Sequence, residues 1–278
     1  MDKILVTGAS GFIGKKIVKR LNKSKVITDS NNSERIDLQN REQVMKLDSA
    51  DIVIHLGGKT PQSELEWSEY FDNNVIGTLN VLEYCIQKKV KKMIYVSSYV
   101  YGNPKYCPID ENHPINPHNA YSESKYLGER LCEFYCNRSV LNLIILRPFN
   151  IFGESMRDGF LISNLINSVK TGEKLTIVNK NSKRDFLHVD DFMDLIVKLI
   201  DHDFKFEVFN VGAGESYSFE DIIKKIEKIT SQKINADYKE NKEIFIDEIT
   251  ADISKIKNKT DWQPRIKFDE GLEKMLKL

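Results

Sequence analysis

The chain has 278 residues, 41% of them hydrophobic and 29% charged, enough for one large or two modest domains of an ordinary globular protein. Basic and acidic residues number 41 each, so no basic surplus favours a nucleic acid or an anionic membrane as partner. No apolar stretch is long enough to span a bilayer and no signal peptide is evident, so we expect a cytoplasmic protein.

The chain begins with a pattern of strand, glycine turn and helix. Residues 4–6 form a short apolar run, typical of a buried parallel strand. Three glycines follow at the spacing GxxGxxG, and apolar residues then recur at helical spacing. Gly8 can adopt a backbone shape that a Cβ obstructs, Gly11 lets the main chain approach a pyrophosphate, and Gly14 lets helix and strand pack closely. The N–H groups at the helix start, at Phe12 and Ile13, suit phosphate oxygens.

A carboxylate follows the second predicted strand, at residues 25–28. Asp29 lies 21 positions after Gly8, near the roughly 20 expected for the residue that binds the adenosine ribose of a dinucleotide. Its charge would repel a 2′-phosphate, so the pattern favours NAD over NADP. The glycine spacing differs from the common GxGxxG, and a structural glycine-rich turn in another α/β protein is the alternative.

Strands and helices alternate through the first half of the chain. Strands are predicted at residues 51–56, 91–96 and 143–146, after a short third strand that precedes Asp37 and Leu38. Helices are predicted at residues 39–47, 64–87 and 119–137. This alternation predicts a parallel, doubly wound sheet.

The second half of the chain has shorter and more mixed elements. Helices are predicted at residues 160–170, 192–200, 219–229 and 268–276, and strands at 175–178 and 207–210. Asp190 and Asp191 precede one of these helices, where an N-cap is the expected role. We therefore predict a Rossmann-like α/β domain at residues 1–150 and a smaller mixed α/β, substrate-binding part at residues 151–278, some segments of which return to the first domain.

A tyrosine and a lysine occupy one face of the predicted helix at residues 119–137. Tyr121 and Lys125 are four residues apart, so both side chains project from the same side of the helix. Free tyrosine titrates near pH ~10, and a nearby ammonium group favours its phenolate. The pair therefore predicts an acid/base site, to which serines at the end of the preceding strand contribute a hydroxyl.

Several other reactive residue types have structural interpretations. The cysteines (Cys85, Cys107, Cys132 and Cys136) form no CxxC pair, and we expect no metal site. His55 and His188 belong to no ligand cluster and are predicted to be structural. Trp67 is predicted to pack within a helix, whereas Tyr99 and Tyr101 either line a pocket or pack.

The order of motifs resembles the extended short-chain dehydrogenases/reductases of the NAD-dependent epimerase/dehydratase group, most of which act on nucleotide sugars. The motifs that carry the resemblance cover nearly the whole chain: TGASGFIG, HLGG, DNNVIGTLN, SSYVYG, YSESK, LRPFNIFG, RDFLHVDD, FNVGAGESYS and DWQP.

The resemblance implies roles for individual residues. Tyr121 would be the acid/base, Lys125 would hold the nicotinamide ribose, and Ser97 would be the catalytic serine. Asp29 would bind the adenosine ribose. The other residues implied on the cofactor side are Asp37, Leu38, Leu56, Gly57, Gly58, Asn74 and Pro148. Those implied for the substrate are Ser98, Tyr99, Asn150 and Arg184, the last two for a diphosphate.

The chain also departs from the family pattern. The dehydratases of the group carry an Asp–Glu pair directly after the catalytic residue, where this chain has Ser98 and Tyr99. The GDG turn that usually precedes RDF is missing, as is a late arginine for the second phosphate. These differences disfavour a 4,6-dehydratase and leave a smaller sugar or a non-nucleotide substrate open.

Together these features predict an NAD-dependent nucleotide-sugar epimerase, similar to UDP-glucose 4-epimerase, that works by transient hydride transfer. The alternatives are an NAD(P)H-dependent reductase of a nucleotide-linked 4-keto-6-deoxy sugar and, outside catalysis, an NAD-sensing binding protein. Family analogy also implies a homodimer.

Overall fold

The chain forms two compact units in a computed structural model, which describes residues 2–21, 26–31, 34–61, 65–241 and 246–277. The first unit comprises Met1–Gly102, Pro114–Pro148 and Met193–Phe209, and the second Asn103–His113, Phe149–Phe192 and Asn210–Leu278. Each unit is therefore built from separate stretches of chain. The division into a cofactor domain and a substrate domain at residue 150 stays a prediction.

The helices and strands have the following bounds. The first half of the chain contains β1 (Ile4–Thr7), α1 (Phe12–Arg20), β2 (Val26–Thr28), β3 (Ser30–Asn31), β4 (Glu34–Arg35), α2 (Arg41–Met45), β5 (Ile52–His55), α3 (Trp67–Tyr70), a π-helix (Phe71–Ile76), α4 (Gly77–Gln87), β6 (Lys92–Val96), α5 (Ala120–Asn137) and β7 (Asn142–Pro148). The second half contains β8 (Asn150–Phe152), α6 (Leu161–Thr171), β9 (Leu175–Val178), β10 (Lys183–His188), α7 (Val189–Ile200), β11 (Phe206–Val211), β12 (Ser216–Ser218), α8 (Phe219–Thr230), β13 (Ala236–Lys239), β14 (Glu248–Ile249), α9 (Ser254–Thr260) and α10 (Phe268–Leu276).

A six-stranded sheet in the order β11-β7-β6-β5-β1-β2 forms the centre of the first unit. The strand pairs from β2 to β7 are all parallel. Strands β1, β5 and β6 are buried throughout, as their apolar sequences predict for a sheet covered on both faces. This architecture, with helices between the strands, confirms the predicted Rossmann-like fold class.

The helices of the first unit differ from their predicted bounds. The segment predicted as one helix at residues 64–87 is divided among α3, the π-helix and α4, and Glu64 lies outside the described residues. Helix α2 starts later than predicted because Asn40, which accepts a hydrogen bond from the backbone N–H of Gln43, caps it, and it also ends two residues earlier, at Met45. The short strand before Asp37 pairs with β3 in an antiparallel hairpin. Lys25, predicted in the second strand, also lies outside the described residues.

Among the described residues, the second unit contains two small sheets and its own apolar core. Strands β12, β10 and β14 form one sheet, β8 pairs with β10, and β13 pairs with β9. The core consists of apolar side chains from these strands and from α6, α8 and α10, including Phe152, Leu165, Phe186, Ile222 and Phe268. Mixed elements were predicted here, and β9 matches a predicted strand, but the strands β8, β10, β12, β13 and β14 were not predicted.

One capping prediction in this part of the chain is wrong. Helix α7 begins at Val189, three residues before the predicted start, so Asp190 and Asp191 lie in its first turn instead of at its N-cap. Carboxylates in a first turn still interact favourably with the helix dipole. The side chain of Asp191 also accepts a hydrogen bond from the backbone N–H of Ile266 at 2.9 Å, a contact that no local pattern reveals.

Candidate active site

The glycine turn lies at the carboxyl end of β1, and sterics require glycine at two of its positions. Gly8 has φ +70°, and a Cβ there would lie 2.7 Å from the backbone nitrogen of Gly57. A Cβ at Gly14 would overlap the carbonyl oxygen of Gly8 and lie 2.7 Å from Ala9 Cα. At Gly11 the nearest atom would be 3.2 Å away, so that position is less restricted. The turn is thus as tight as its sequence predicts.

The start of α1 follows this turn and suits an anion. Phe12 is the first helical residue, and the N-cap Gly11 has no side chain that could occupy the N–H groups of the first turn. Phe12 and Ile13 are half-buried there. The helix carries Lys19 and Arg20 in its last turn, so its charges complement the dipole and leave the positive end to a ligand.

The side chain of Asp29 stabilises the glycine turn through hydrogen bonds to its backbone. Its buried carboxylate accepts hydrogen bonds from the backbone N–H groups of Gly8 at 2.5 Å and Ala9 at 3.1 Å. A carboxylate has about four acceptor positions, so ribose hydroxyls could bind it as well. The close turn, the helix start and this carboxylate together fit a dinucleotide, because backbone N–H groups can approach its phosphates without obstruction from side chains.

A second loop, at the carboxyl end of β5, lies beside the turn. The backbone N–H of Gly57 donates to the hydroxyl of Thr7, and Leu56 is half-buried. A Cβ at Gly57 would overlap the side chain of Leu38, and a Cβ at Gly58 would lie 2.6 Å from Asn74 Oδ1. The structure therefore brings these predicted cofactor residues to one edge of the sheet. Asp37 is exposed and accepts a hydrogen bond from the backbone N–H of Gln39.

The predicted acid/base pair lies on α5, which Asn119 begins with a capping box. Tyr121 is half-buried and its ring packs edge-on against Tyr70, with ring centroids 6.0 Å apart. Lys125 is buried, and its ammonium lies 4.4 Å from the centroid of the Tyr95 ring. Burial lowers the pKa of Lys125 to about 8, so the ammonium remains the main form at neutral pH.

Ser97 faces the same helix, and its hydroxyl donates a hydrogen bond of 2.5 Å to Glu129 Oε1. Glu129 in turn receives Nη2 of Arg147 at 2.6 Å, and both charged side chains are buried. Arg147 also donates to the hydroxyl of Tyr101 at 2.8 Å.

Sequence analysis did not identify Glu129 and Arg147. Two signals could have found them: Glu129 lies one further helical turn beyond Lys125, and a charged side chain such as Arg147 within an apolar strand needs a buried partner.

The remaining predicted residues of the first unit lie shortly after Ser97 in the chain or at the end of β7. Ser98 and Tyr99 are half-buried, and the hydroxyl of Tyr99 donates to the carbonyl oxygen of Gly102 at 2.6 Å. Tyr101 was predicted either to line a pocket or to pack, and its complete burial favours packing. Pro148 is buried at the end of β7.

The two predicted diphosphate residues lie together in the second unit. Asn150 Nδ2 donates to the carbonyl oxygen of Asp185 at 2.8 Å, which ties β8 to β10. Half-buried Arg184 donates to the carbonyl oxygen of Ile246 at 3.1 Å, and its guanidinium lies 5.5 Å from the centroid of the Phe219 ring. Asn150 and Arg184 therefore lie on two directly paired strands, β8 and β10, whose pairing sets the spacing of the amide and the guanidinium.

Sequence analysis also missed Asp185, the buried neighbour of Arg184. Its carboxylate accepts backbone N–H groups of Ala213, Gly214 and Ala251 at 2.7, 3.0 and 3.1 Å. Burial raises the pKa of this group to about 7, although the three N–H donors oppose the shift. Asp185 thus joins β10 to the GAG loop that follows β11. Asp185 lies within the RDF motif of the sequence, but nothing in that motif indicates which backbone N–H groups the carboxylate binds.

The cysteines and histidines have the following surroundings. Cys85, Cys132 and Cys136 lie in the apolar core of the first unit. The ligand atoms of Glu154, His188 and Asp190 lie within 4.8 Å of one another, a group that sequence analysis did not anticipate. The Lys274 ammonium lies 3.4 Å from Asp190 and already supplies a positive charge there.

None of the helices in the described part of the chain combines the length and apolar character that a bilayer crossing requires.

Comparisons with known proteins identify the family to which the chain belongs. Residues 4–212 match the model of the NAD dependent epimerase/dehydratase family. The chain is similar to a putative UDP-glucose 4-epimerase of Methanocaldococcus jannaschii, at 30% identity over 98% of this chain and 97% of that protein. It is also similar to the GDP-6-deoxy-D-talose 4-dehydrogenase of Aggregatibacter actinomycetemcomitans, at 29% identity over 88% and 84%.

A solved structure extends the similarity to the whole fold. The UDP-glucuronic acid 4-epimerase of Bacillus cereus, in complex with UDP-glucuronic acid and NAD, superposes with a TM-score of 0.88. The two chains are 26% identical, with 99% of this chain and 98% of that chain covered. The resemblance inferred from the motifs is confirmed, with NAD as the cofactor of the family, and this chain belongs to the NAD dependent epimerase/dehydratase family.

Proposed function

We propose that the chain is an NAD-dependent nucleotide-sugar epimerase of the UDP-glucose 4-epimerase type. The observation that carries the proposal is the pair of Tyr121 and Lys125 on α5, with the Lys125 ammonium buried over the ring of Tyr95. The glycine turn and the carboxylate of Asp29, at the end of the sheet where dinucleotides bind in such folds, support it.

Tyr121 exchanges a proton with the sugar. The nearby Lys125 ammonium favours its phenolate, which accepts the proton of a sugar hydroxyl, and the phenol returns that proton when the hydroxyl forms again. NAD, held by the glycine turn and Asp29, would supply the reversible hydride acceptor that this chemistry requires. Ser97 donates its own hydrogen to Glu129, so its oxygen is oriented to accept a hydrogen bond from the sugar.

The second unit binds the diphosphate of the substrate in this proposal. Arg184 offers a planar guanidinium and Asn150 an amide on neighbouring strands, and both groups suit phosphate oxygens. The nucleotide sugars named for relatives, such as UDP-glucuronic acid, carry this diphosphate.

Substitution of Tyr121 tests the mechanism. Tyr121→Phe removes the proton-exchanging oxygen and keeps the ring, so turnover of UDP-glucose should fall by about a hundredfold or more, the usual contribution of general acid–base catalysis. NAD binding should persist. Tyr126→Phe, a half-buried tyrosine on the same helix, is the matched control and should retain activity. Near-normal rates in Tyr121→Phe would remove Tyr121 from the mechanism.

A net reductase is the second candidate, favoured by the similarity to the 4-dehydrogenase of a nucleotide-linked 6-deoxy sugar. A reductase would use the same residues but consume reduced nicotinamide. The ultraviolet absorbance of added NADH therefore separates the two functions: it stays constant while an epimerase turns over a UDP-hexose, and it falls while a reductase acts on a 4-keto sugar.

A further inference from the structure

His55, at the end of β5, connects two parts of the first unit that both belong to the proposed site. Its imidazole is fully buried and bonded on both sides. Nδ1 lies 2.6 Å from the hydroxyl oxygen of Thr7, and Nε2 lies 3.0 Å from that of Thr78. Both hydroxyls are buried as well, so each of these hydrogen bonds lies in a region of low dielectric constant.

The hydrogen bonds of the two threonine hydroxyls determine which nitrogen of the His55 ring carries a hydrogen. The hydroxyl of Thr78 donates its hydrogen to the carbonyl oxygen of Asn74 at 2.6 Å, so towards His55 it can only accept. Nε2 must therefore carry a hydrogen. Burial, with a smaller effect of the Lys125 ammonium, lowers the pKa of His55 to about 3, so the ring is neutral and Nδ1 accepts the hydrogen of Thr7.

One side of this chain of hydrogen bonds ends at the loop that follows β5. The oxygen of Thr7, whose hydrogen goes to His55, accepts the backbone N–H of Gly57 at 3.2 Å. Gly57 lies in the loop predicted to contact the cofactor, opposite Gly8 of the glycine turn. The position of the Gly57 loop therefore depends, through Thr7, on the orientation of the His55 ring.

The other side ends on the helix of the proposed acid/base. The amide of Asn74, within the π-helix, donates to the hydroxyl of Ser124 at 2.8 Å and accepts the backbone N–H of Lys59 at 2.7 Å. Ser124 donates in turn to the carbonyl oxygen of Tyr121 at 2.8 Å. The π-helix, a form often found at functional sites, thus connects Thr78 to the helix α5.

We propose that His55 is a positioning residue: as the neutral Nε2–H tautomer it joins the Gly57 loop, through Thr7, to the Asn74 turn, through Thr78, and so aligns the cofactor loop with the helix of Tyr121. An imidazole suits this task because it presents an acceptor and a donor at a fixed separation. The functional part of this inference rests on the proposed function, whereas the tautomer does not.

Two substitutions separate the two sides of His55. His55→Asn ends at the δ position, so its amide oxygen can still accept from Thr7 but nothing reaches Thr78. His55→Gln ends at the ε position, so its amide can still donate to Thr78 but the acceptor for Thr7 is lost. His55→Leu removes both hydrogen bonds, so it shows how much of each effect comes from lost packing and stability alone.

The two variants should have opposite effects on cofactor affinity and turnover. We expect His55→Gln to raise the Kd for NAD about tenfold with kcat nearly unchanged, the size of one buried hydrogen bond. His55→Asn should lower kcat about tenfold with the Kd for NAD nearly unchanged. Thr78→Val should reproduce the His55→Asn effect, Thr78→Ser should not, and combining His55→Asn with Thr78→Val should add little. Equal losses of both quantities in His55→Asn and His55→Gln, in proportion to lost stability, would reduce His55 to a packing role.

Nitrogen NMR of the wild-type imidazole decides the tautomer without any activity measurement. The His55 signal, assigned by its absence from the spectrum of His55→Leu, should show a protonated Nε2 and an unprotonated Nδ1 that do not titrate near neutral pH. A protonated Nδ1 would overturn the proposal whatever the activities of the other variants. If wild-type protein turns over no nucleotide sugar, the proposed function fails, and the NMR signal together with the NAD affinities of the two variants still decides the role of His55.

Discussion

At the scale of single residues, the chemistry of the proposed site depends on a buried ammonium group. Lys125 is almost completely buried, over the ring of Tyr95, and burial lowers its pKa to about 8 from an ordinary value of 10.5. The ring face attracts the charge and compensates part of its lost hydration. Because this lowered pKa lies near neutrality, the charge of Lys125, one helical turn from Tyr121 on α5, changes with pH in a range that kinetics can measure.

Activity should therefore decline as the pH rises through the pKa of Lys125. The ammonium is present below about pH 8 and is lost above it, so kcat/KM, which reports groups of the free enzyme, should fall on the alkaline side. The measurement is a pH profile of UDP-glucose turnover on both sides of that pKa. Lys125→Met should be slow throughout and show no such decline. A wild-type profile that stays level on the alkaline side would show that this charge is not needed.

At the scale of elements, the connection from β1 through the glycine turn to α1 is limited by backbone contacts. A Cβ at Gly14 would meet the backbone of Gly8 and Ala9, which cannot move without displacing the turn. A Cβ at Gly11 meets its nearest atom at 3.2 Å, so a small shift accommodates it. The backbone therefore excludes a side chain at Gly14 but nearly accommodates one at Gly11, although both positions are glycine in the sequence motif.

Gly14→Ala should be clearly more destabilising than Gly11→Ala. Forcing a methyl group against backbone costs about 1–3 kcal/mol, so the free energy of unfolding should drop by that amount in Gly14→Ala and less in Gly11→Ala. Urea unfolding gives the stability and a titration with NAD gives the affinity, which we expect Gly14→Ala to lose. Equal stability of the two variants would mean that α1 can move away from the strand.

Helix α5 and strand β7 are joined by a buried ion pair. Glu129 and Arg147 are 4% and 6% exposed at their side chains and lie 2.6 Å apart. Ser97 and Tyr101 complete their hydrogen bonds, so neither charge is left without polar partners. Such a pair adds little net stability, but the loss of one partner exposes the full cost of the other buried charge.

Removal of one partner should be costly and removal of both less so. Arg147→Met should lower the free energy of unfolding by about 3–5 kcal/mol, because Glu129 is left uncompensated. The double variant Arg147→Met/Glu129→Leu should recover part of that loss. Urea unfolding of the single and double variants gives the coupling free energy. Strictly additive effects would indicate that the two charges do not stabilise each other.

At the scale of the whole molecule, the net charge is zero, and the apolar side chains left at the surface indicate where copies of the chain would meet. On α5, Leu127 and Phe134 are 36% and 51% exposed and lie seven residues apart, on one face of the helix. Ile86 of α4 is 41% exposed, and α4 packs against α5. Adjacent exposed apolar side chains of this kind mark interaction surfaces.

We predict a homodimer that forms through α4 and α5. Light scattering should give twice the chain mass of 32.2 kDa, and Leu127→Glu with Phe134→Glu should yield monomers, because charges would be buried without partners. Val140→Glu is the matched control: Val140 is 87% exposed and lies between α5 and β7, outside both helices. A wild-type chain of single mass would refute the prediction.

Local patterns in the sequence were sufficient for the class of fold and for several candidate residues. Apolar runs predicted β1, β5 and β6 because a strand buried on both faces needs them. The glycine spacing predicted the tight turn, since a Cβ clash depends on neighbouring backbone. The helical interval between Tyr121 and Lys125 predicted a shared face, because the geometry of a helix repeats over a few residues.

Tertiary structure decided which groups face one another. The ring of His55 lies between Thr7 and Thr78, and the hydroxyl of Ser97 meets Glu129, in each case across many residues of chain. The early start of α7 likewise accompanies a distant contact of Asp191. Composition and periodicity describe one segment at a time, whereas a buried hydrogen bond forms only where packing leaves two polar groups without water. The sequence by itself therefore determined the class of fold and several residues of the site, and the fold decided which polar groups are partners and which charges are buried.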